Sequence, residues 1–162
     1  MHEASDTYMG YAGKVELAAV LNELLEAERA GSKVTLESAR AAGAGPLANL
    51  LRAVQRDEAR WCAMLLVRIR ALGETPSSEI GDLYAKAMAI ADLHERIALL
   101  NRGRRWVARK LREILPRVRD NELHADLCGM LRSYEGNIDL LNGFATRSNA
   151  APHWVSTHAD SD

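Results

Sequence analysis

Residues 21–28 read Leu-Asn-Glu-Leu-Leu-Glu-Ala-Glu. Leu17, Leu21, Leu24, Leu25 and Glu28 recur at three-and-four spacing, which puts them on one face of a helix predicted over about 14–41. That stripe ends in an acid. A carboxylate turned inward is costly without a partner, so what Glu28 meets inside the fold bears directly on function.

Outward from this stretch, Ala-Gly-Ala-Gly-Pro at 42–46 stops the helix and offers a proline suited to the first turn of the next. The second helix is predicted over about 46–72, with Leu47, Leu51, Val54, Glu58, Trp61, Leu65 and Ile69 inward, until Gly73, Pro76 and two serines break it. A connecting helical piece is expected over about 79–89, leading into a third long helix whose inner stripe is Ile90, His94, Ile97 and Asn101. Pro116 closes that helix, and Asp120 is a good N-cap for a last helix over about 121–144. Leu127, Met130 or Leu131, Tyr134, Ile138 and Leu141 form its apolar face. Residues 1–13 read as an N-terminal arm, 14–144 as a single helical domain, and 145–162 as a polar, flexible tail. Short links make the first and second pairs of helices antiparallel hairpins, and the longer middle stretch permits a crossover between them. An up-down-up-down bundle is the alternative if 73–89 simply extends the third helix.

Composition agrees with an all-α fold. Hydrophobic residues make up 48% and charged residues 27% of the chain, with a single Phe, a balance that favours helices over sheets. A net charge of −1 argues against a protein that is globally a polyanion binder. Cys62 and Cys128 lie far apart in helical segments, without CxxC spacing, and read as buried reduced thiols. No basic start followed by an apolar run marks the N-terminus, and no uncharged stretch approaches a membrane span, so a cytoplasmic protein without a membrane partner is expected. Gly-rich phosphate loops, nucleophilic triads and zinc spacings are not found, which leaves the familiar enzyme classes unsupported.

The inward acids carry a family resemblance. Residues 21–28 are similar to the first-helix motif of bacterioferritins, with Glu28 at the ligand position. Asp-Glu-Ala-Arg-Trp at 57–61, followed by Arg-Ile-Arg-Ala-Leu-Gly-Glu-Thr-Pro, resembles the second-helix motif, with Glu58 at the glutamate position and Trp61 where a histidine belongs. Leu-Arg-Ser-Tyr-Glu-Gly-Asn-Ile-Asp-Leu-Leu at 131–141 resembles the fourth-helix motif, with Tyr134 and Asn137 at the glutamate and histidine positions. Asn101, 33 residues before Tyr134 and 43 after Glu58, falls at the third-helix ligand position.

The resemblance implies a ferritin-like four-helix bundle of two antiparallel hairpins joined by a crossover, with a degenerate di-metal centre. Glu28 and Glu58 remain as residual, weak metal ligands, while Trp61, Asn101, Tyr134 and Asn137 line the site in place of the others. Two carboxylates leave two divalent ions short of charge and of coordination, so the expectation is no cofactor, with iron or manganese as the alternative. In a metal-free core the amides of Asn101 and Asn137, the Tyr134 hydroxyl and the Trp61 indole are donors available to the acids. The expected function is a binding, assembly or stress-associated module of bacterial ferritin-like type, a homodimer pairing through its first hairpin, with a protein partner as a further option. The rival is an iron- or manganese-dependent oxidase or oxygenase built on Glu28 and Glu58, with Tyr134 and Trp61 as redox neighbours.

Other polar residues are read more plainly. His94 is expected as a core or interface histidine, His124 and Asp126 as capping and solvated groups, and Glu95 as a ligand only if its helix is rotated. Residues 102–119 carry a local charge of about +7, from Arg102, Arg104, Arg105, Arg109, Lys110, Arg112, Arg117 and Arg119 against Glu113. A solvated or subunit-facing surface is the favoured reading. Contact with DNA or an acidic partner through Arg102, Arg105, Arg109 and Arg112 is the alternative.

Overall fold

A computed structural model of the chain describes residues 9–149, with side chains described up to residue 144. Among these residues the regular structure is all-helical, in the order α1 (Lys14–Ala42), α2 (Pro46–Ala71), α3 (Leu83–Met88), α4 (Leu93–Ile114), a short 3-10 turn (Leu115–Arg117) and α5 (Asn121–Asn149). The turns are built by the residues that marked them in sequence. Gly43 ends α1 in a left-handed conformation, φ 75°, and its N–H reaches back to the carbonyls of Ala39 and Arg40; Pro46 then opens α2. Asp120 caps α5 by accepting from the Leu123 N–H at 2.8 Å.

Two boundaries differ from the sequence reading. The connecting helix is confined to Leu83–Met88, because side chains of α1 hold the preceding chain in an irregular path. Asn22 Nδ2 donates to the Thr75 carbonyl, Ser77 N–H donates to Asn22 Oδ1, Ser77 Oγ donates to Glu26 Oε1, and Gly81 N–H donates to the Glu26 carbonyl. The last helix runs on to Asn149, past the boundary expected near residue 144. Residues 1–8 of the expected arm and 150–162 of the expected tail lie outside the described residues.

Helix directions follow from which residues share a core cluster. Leu17 and Leu21 from the start of α1 cluster with Ile69 from the end of α2, Ile114 from the end of α4 and Leu123 from the start of α5. Ala39, near the end of α1, clusters with Leu51, Ile97 and Leu141. α1 and α5 therefore run one way, α2 and α4 the other. A chain leaving α2 must travel the length of the molecule before entering α4, and it does so along α1, from Asn22 beside Thr75 to Val34 beside Ala87. The up-down-up-down alternative is incompatible with this path.

A polar layer separates the two apolar ends of the core. Glu28 and Thr35 on α1, Glu58 on α2, and Asn101 and Arg104 on α4 are all buried there. Burying this many polar groups is unfavourable unless they bond one another, so the layer is where the fold departs from simple hydrophobic packing.

Candidate functional site

Each acid enters this layer from an otherwise apolar face. Glu28 follows Leu17, Leu21, Leu24 and Leu25 along α1, and Glu58 lies between Val54 and Trp61 on α2; their exposures are 0% and 2%. The partner of Glu58 is Arg104. Its Nη2 donates to Glu58 Oε1 at 2.6 Å and to Thr35 Oγ1 at 2.9 Å, while the Thr35 hydroxyl lies 3.0 Å from the same carboxylate oxygen. Nη1 of Arg104 donates to Asn101 Oδ1 at 3.2 Å. Both members of the ion pair are at least 96% buried, as their side-chain exposures of 4% and 3% record. A pair this dry is held by direct charge-assisted hydrogen bonds and gains little from solvent.

Gly31 makes the approach of Glu58 to α1 feasible. A Cβ at this position would stand 2.6 Å from Glu58 Oε2, inside contact distance. The absence of a side chain on α1 thus creates the berth for a carboxylate from α2.

Glu28 is treated differently by its surroundings. The Tyr134 hydroxyl donates to Glu28 Oε2, and Oε1 has no partner among the described residues. Burial, with Glu58 beside it, pushes the Glu28 carboxyl well above the ordinary carboxylate range, against the pull of Arg104. A protonated Glu28 leaves the layer with one negative and one positive charge. That balance resolves the repulsion expected between two inward acids, and a neutral carboxyl bears an unpaired oxygen more easily than a carboxylate does.

The other residues expected at the centre divide. Tyr134 reaches it. Asn101 is buried at the expected level, but its amide donates to Asn142 Oδ1 at 2.9 Å and its carbonyl serves Arg104, so it touches neither acid. Asn137 is only half-buried and donates to Asp57 Oδ2 at 3.2 Å. Trp61 is buried, yet its Nε1 has no partner among the described residues and does not donate to a carboxylate.

Arg104 corrects the reading of 102–119 as one continuous solvated stripe. It sits three residues from Asn101 and three from Val107, both buried, so helical geometry carries it inward. Arg102, Arg105, Arg109 and Arg112 stay exposed. Several neighbours are neutralised across helices: Lys110 by Glu23, Arg112 by Glu135 and Arg117 by Glu16. His94 is exposed in the first turn of α4, which Asp92 caps by accepting from the Glu95 N–H at 3.0 Å; the inner stripe begins later than its sequence placement, at Arg96 and Ile97. Glu95 is exposed as well. His124 Nδ1 lies 3.6 Å from Cys128 Sγ, and Asp126 accepts from Arg68. Both cysteines are free and half-buried, short of the full burial expected of them, and the burial Cys62 does have pushes its thiol up to about 12.

The donor set does not fit a di-metal centre. Among the described residues no group of three or more His, Cys, Asp or Glu side chains converges. Glu58 already holds a guanidinium, and a cation placed against Glu58 Oε1 would face that positive charge at hydrogen-bond range.

Beside the ion pair lies a cavity of about 490 Å³, a size typical of small-molecule sites. Its floor includes Gly31, Glu58, Arg104 and Tyr134, and α3 covers one side. Sequence reasoning missed Arg104, Thr35 and Gly31; the three-residue offset of Arg104 from Asn101 was the available signal.

The fold and site define an all-helical protein with a buried carboxylate–guanidinium layer at mid-height. The chain belongs to the family described as a domain of unknown function, DUF6306, whose model matches residues 15–142. No curated protein and no solved structure matches it. No helix among the described residues is long and apolar enough to cross a membrane.

Proposed function

We propose that this chain is a ferritin-like four-helix bundle in which an internal ion pair has taken the place of the di-metal centre, and that it acts as a binding, assembly or stress-associated module. The observation that carries the proposal is Arg104 Nη2 on Glu58 Oε1 at 2.6 Å. A fixed guanidinium supplies the positive charge that a bundle with inward acids otherwise draws from metal ions. Two antiparallel hairpins joined by a long crossover, with acids from the first hairpin at one level, support the ferritin-like reading. The cavity beside the pair supports binding as the activity. Pairing of two copies through the α1–α2 hairpin is part of this proposal and rests on the resemblance alone.

The oxidase or oxygenase reading requires Glu28 and Glu58 to be free ligands for iron or manganese. One is bonded by Tyr134 and the other by Arg104 and Thr35, so the first reading is favoured. The nucleic-acid reading keeps Arg102, Arg105 and Arg109 exposed, while Arg112 is paired with Glu135 and the neighbouring Lys110 with Glu23, which lowers the free positive charge on that face. The test is elemental analysis of protein purified from iron- and manganese-supplemented cells. Less than about a tenth of an equivalent of either metal is expected, and an Arg104→Ala variant does not restore tight binding because the other ligands are absent. Near-stoichiometric metal in the unaltered protein, lost on Glu28→Ala or Glu58→Ala, would end the proposal.

A further inference from the structure

We propose that the cavity between α1, α3 and α4 is a binding site for a small primary amine with an aliphatic body, its ammonium seated on Glu58 Oε2. This deepens the binding-module reading and rests on it.

The floor supplies the first argument. Glu58 is 2% exposed and lines the cavity. Arg104 and Thr35 both serve its Oε1, whereas no hydrogen bond among the described residues reaches Oε2. That atom lies against Gly31, which also lines the cavity, so the unused acceptor is on the cavity side. Oε2 of an ionised carboxylate accepts and cannot donate, and an ammonium is the compact donor that matches it.

The walls supply the second. With Glu23 paired to Lys110 and Glu58 to Arg104, Glu26 and Asp82 line the cavity against Lys86, a small excess of negative charge in a recess with low-dielectric sides, where fields are focused. An anionic ligand is disfavoured by these walls. Between the acidic rim and the floor, Ala27, Leu83, Leu100 and Val107 present apolar surface, which suits a hydrocarbon chain. Gly103 leaves room for Leu83, whose Cδ2 lies 3.0 Å from where a Cβ would be, so α3 is seated closely over the site.

The probe is n-pentylamine, titrated calorimetrically into the full-length protein, with 1-pentanol and pentanoate as matched controls. Saturable binding of one equivalent is expected, about tenfold or more tighter than for the alcohol and weakened by salt. Glu58→Gln should abolish the preference for the amine. Because that variant also unpairs Arg104, Asp82→Asn on the exposed rim provides a second test that leaves the core intact, with an expected loss of about twofold. An amine that binds no better than the alcohol, or whose binding is indifferent to both substitutions, overturns the inference. Metal content is measured separately, so failure of amine binding in a metal-free protein sinks this inference while the lost-centre reading stands.

Discussion

Gly31 and Glu58 are mutually dependent: the carboxylate Oε2 occupies space that any side chain on α1 at that position would need, a Cβ there standing 2.6 Å away. Glycine in the interior of a helix ordinarily costs about 0.5–1 kcal/mol relative to alanine. Here it is retained at the point where two helices share a buried charge.

Gly31→Ala should therefore destabilise the protein by about 1–3 kcal/mol, in opposition to the gain that helix propensity alone provides. Gly136 in α5 offers the control, since a Cβ there meets nothing within 4 Å, and Gly136→Ala should gain up to about 1 kcal/mol. Urea unfolding of both variants measures the difference. Equal behaviour would show that Glu58 can retreat without cost.

Removing one member of the ion pair strands the other. Glu58→Gln is expected to cost about 3–5 kcal/mol, because a buried guanidinium loses its counter-charge. The double variant Glu58→Leu with Arg104→Met should recover most of that loss, as apolar groups fill the space without desolvated charge. A double-mutant cycle by chemical denaturation tests this, and additive losses would contradict it.

Stability should fall as pH rises above the ordinary carboxylate value of 4.5, and Glu28 is the cause. Its folded-state value is raised, so above 4.5 the folded protein holds a proton that the unfolded chain has released; the contribution is complete below 4.5 and is lost as pH climbs toward the raised value. Glu28→Gln keeps a neutral side chain at every pH and should flatten the profile. Urea midpoints measured over pH ~5–8 decide the matter, and parallel slopes for the two proteins would refute it.

Cys62 should resist alkylation in the folded state. Burial pushes its thiol up to about 12, which leaves almost no thiolate near neutral pH. Iodoacetamide labelling followed by peptide mass spectrometry should show Cys128 modified first, with Cys62 reacting only on unfolding; rapid native labelling of Cys62 would contradict the burial.

The helices were legible because their signals are local. The stripe from Leu17 to Glu28, the Gly-Ala-Gly-Pro stop at 43–46 and the Asp120 cap each act over a few residues, and each appears in the fold where the periodicity placed it. His94 and the span of the connecting helix were misplaced because neighbours elsewhere in the chain set them. Asn22, Glu26 and Arg29 on α1 hold the segment from Thr75 to Glu79 out of helix, and His94, although in phase with Ile97 and Asn101, falls in the first turn of α4 that Asp92 caps and is exposed there.

By itself the sequence determined that Glu28 and Glu58 lie on buried faces, since an acid spaced with leucines must turn where they turn. Which positive charge answers them was decided only by the tertiary structure. Arg104 stands among eight basic residues on one segment, and although its three-residue offset from Asn101 turns it inward, nothing local names Glu58 as its partner. Only when α4 packs against α1 and α2 do Thr35 and Glu58 converge on its guanidinium, since hydrogen bonding is a property of distance in space and carries no trace in the order of residues.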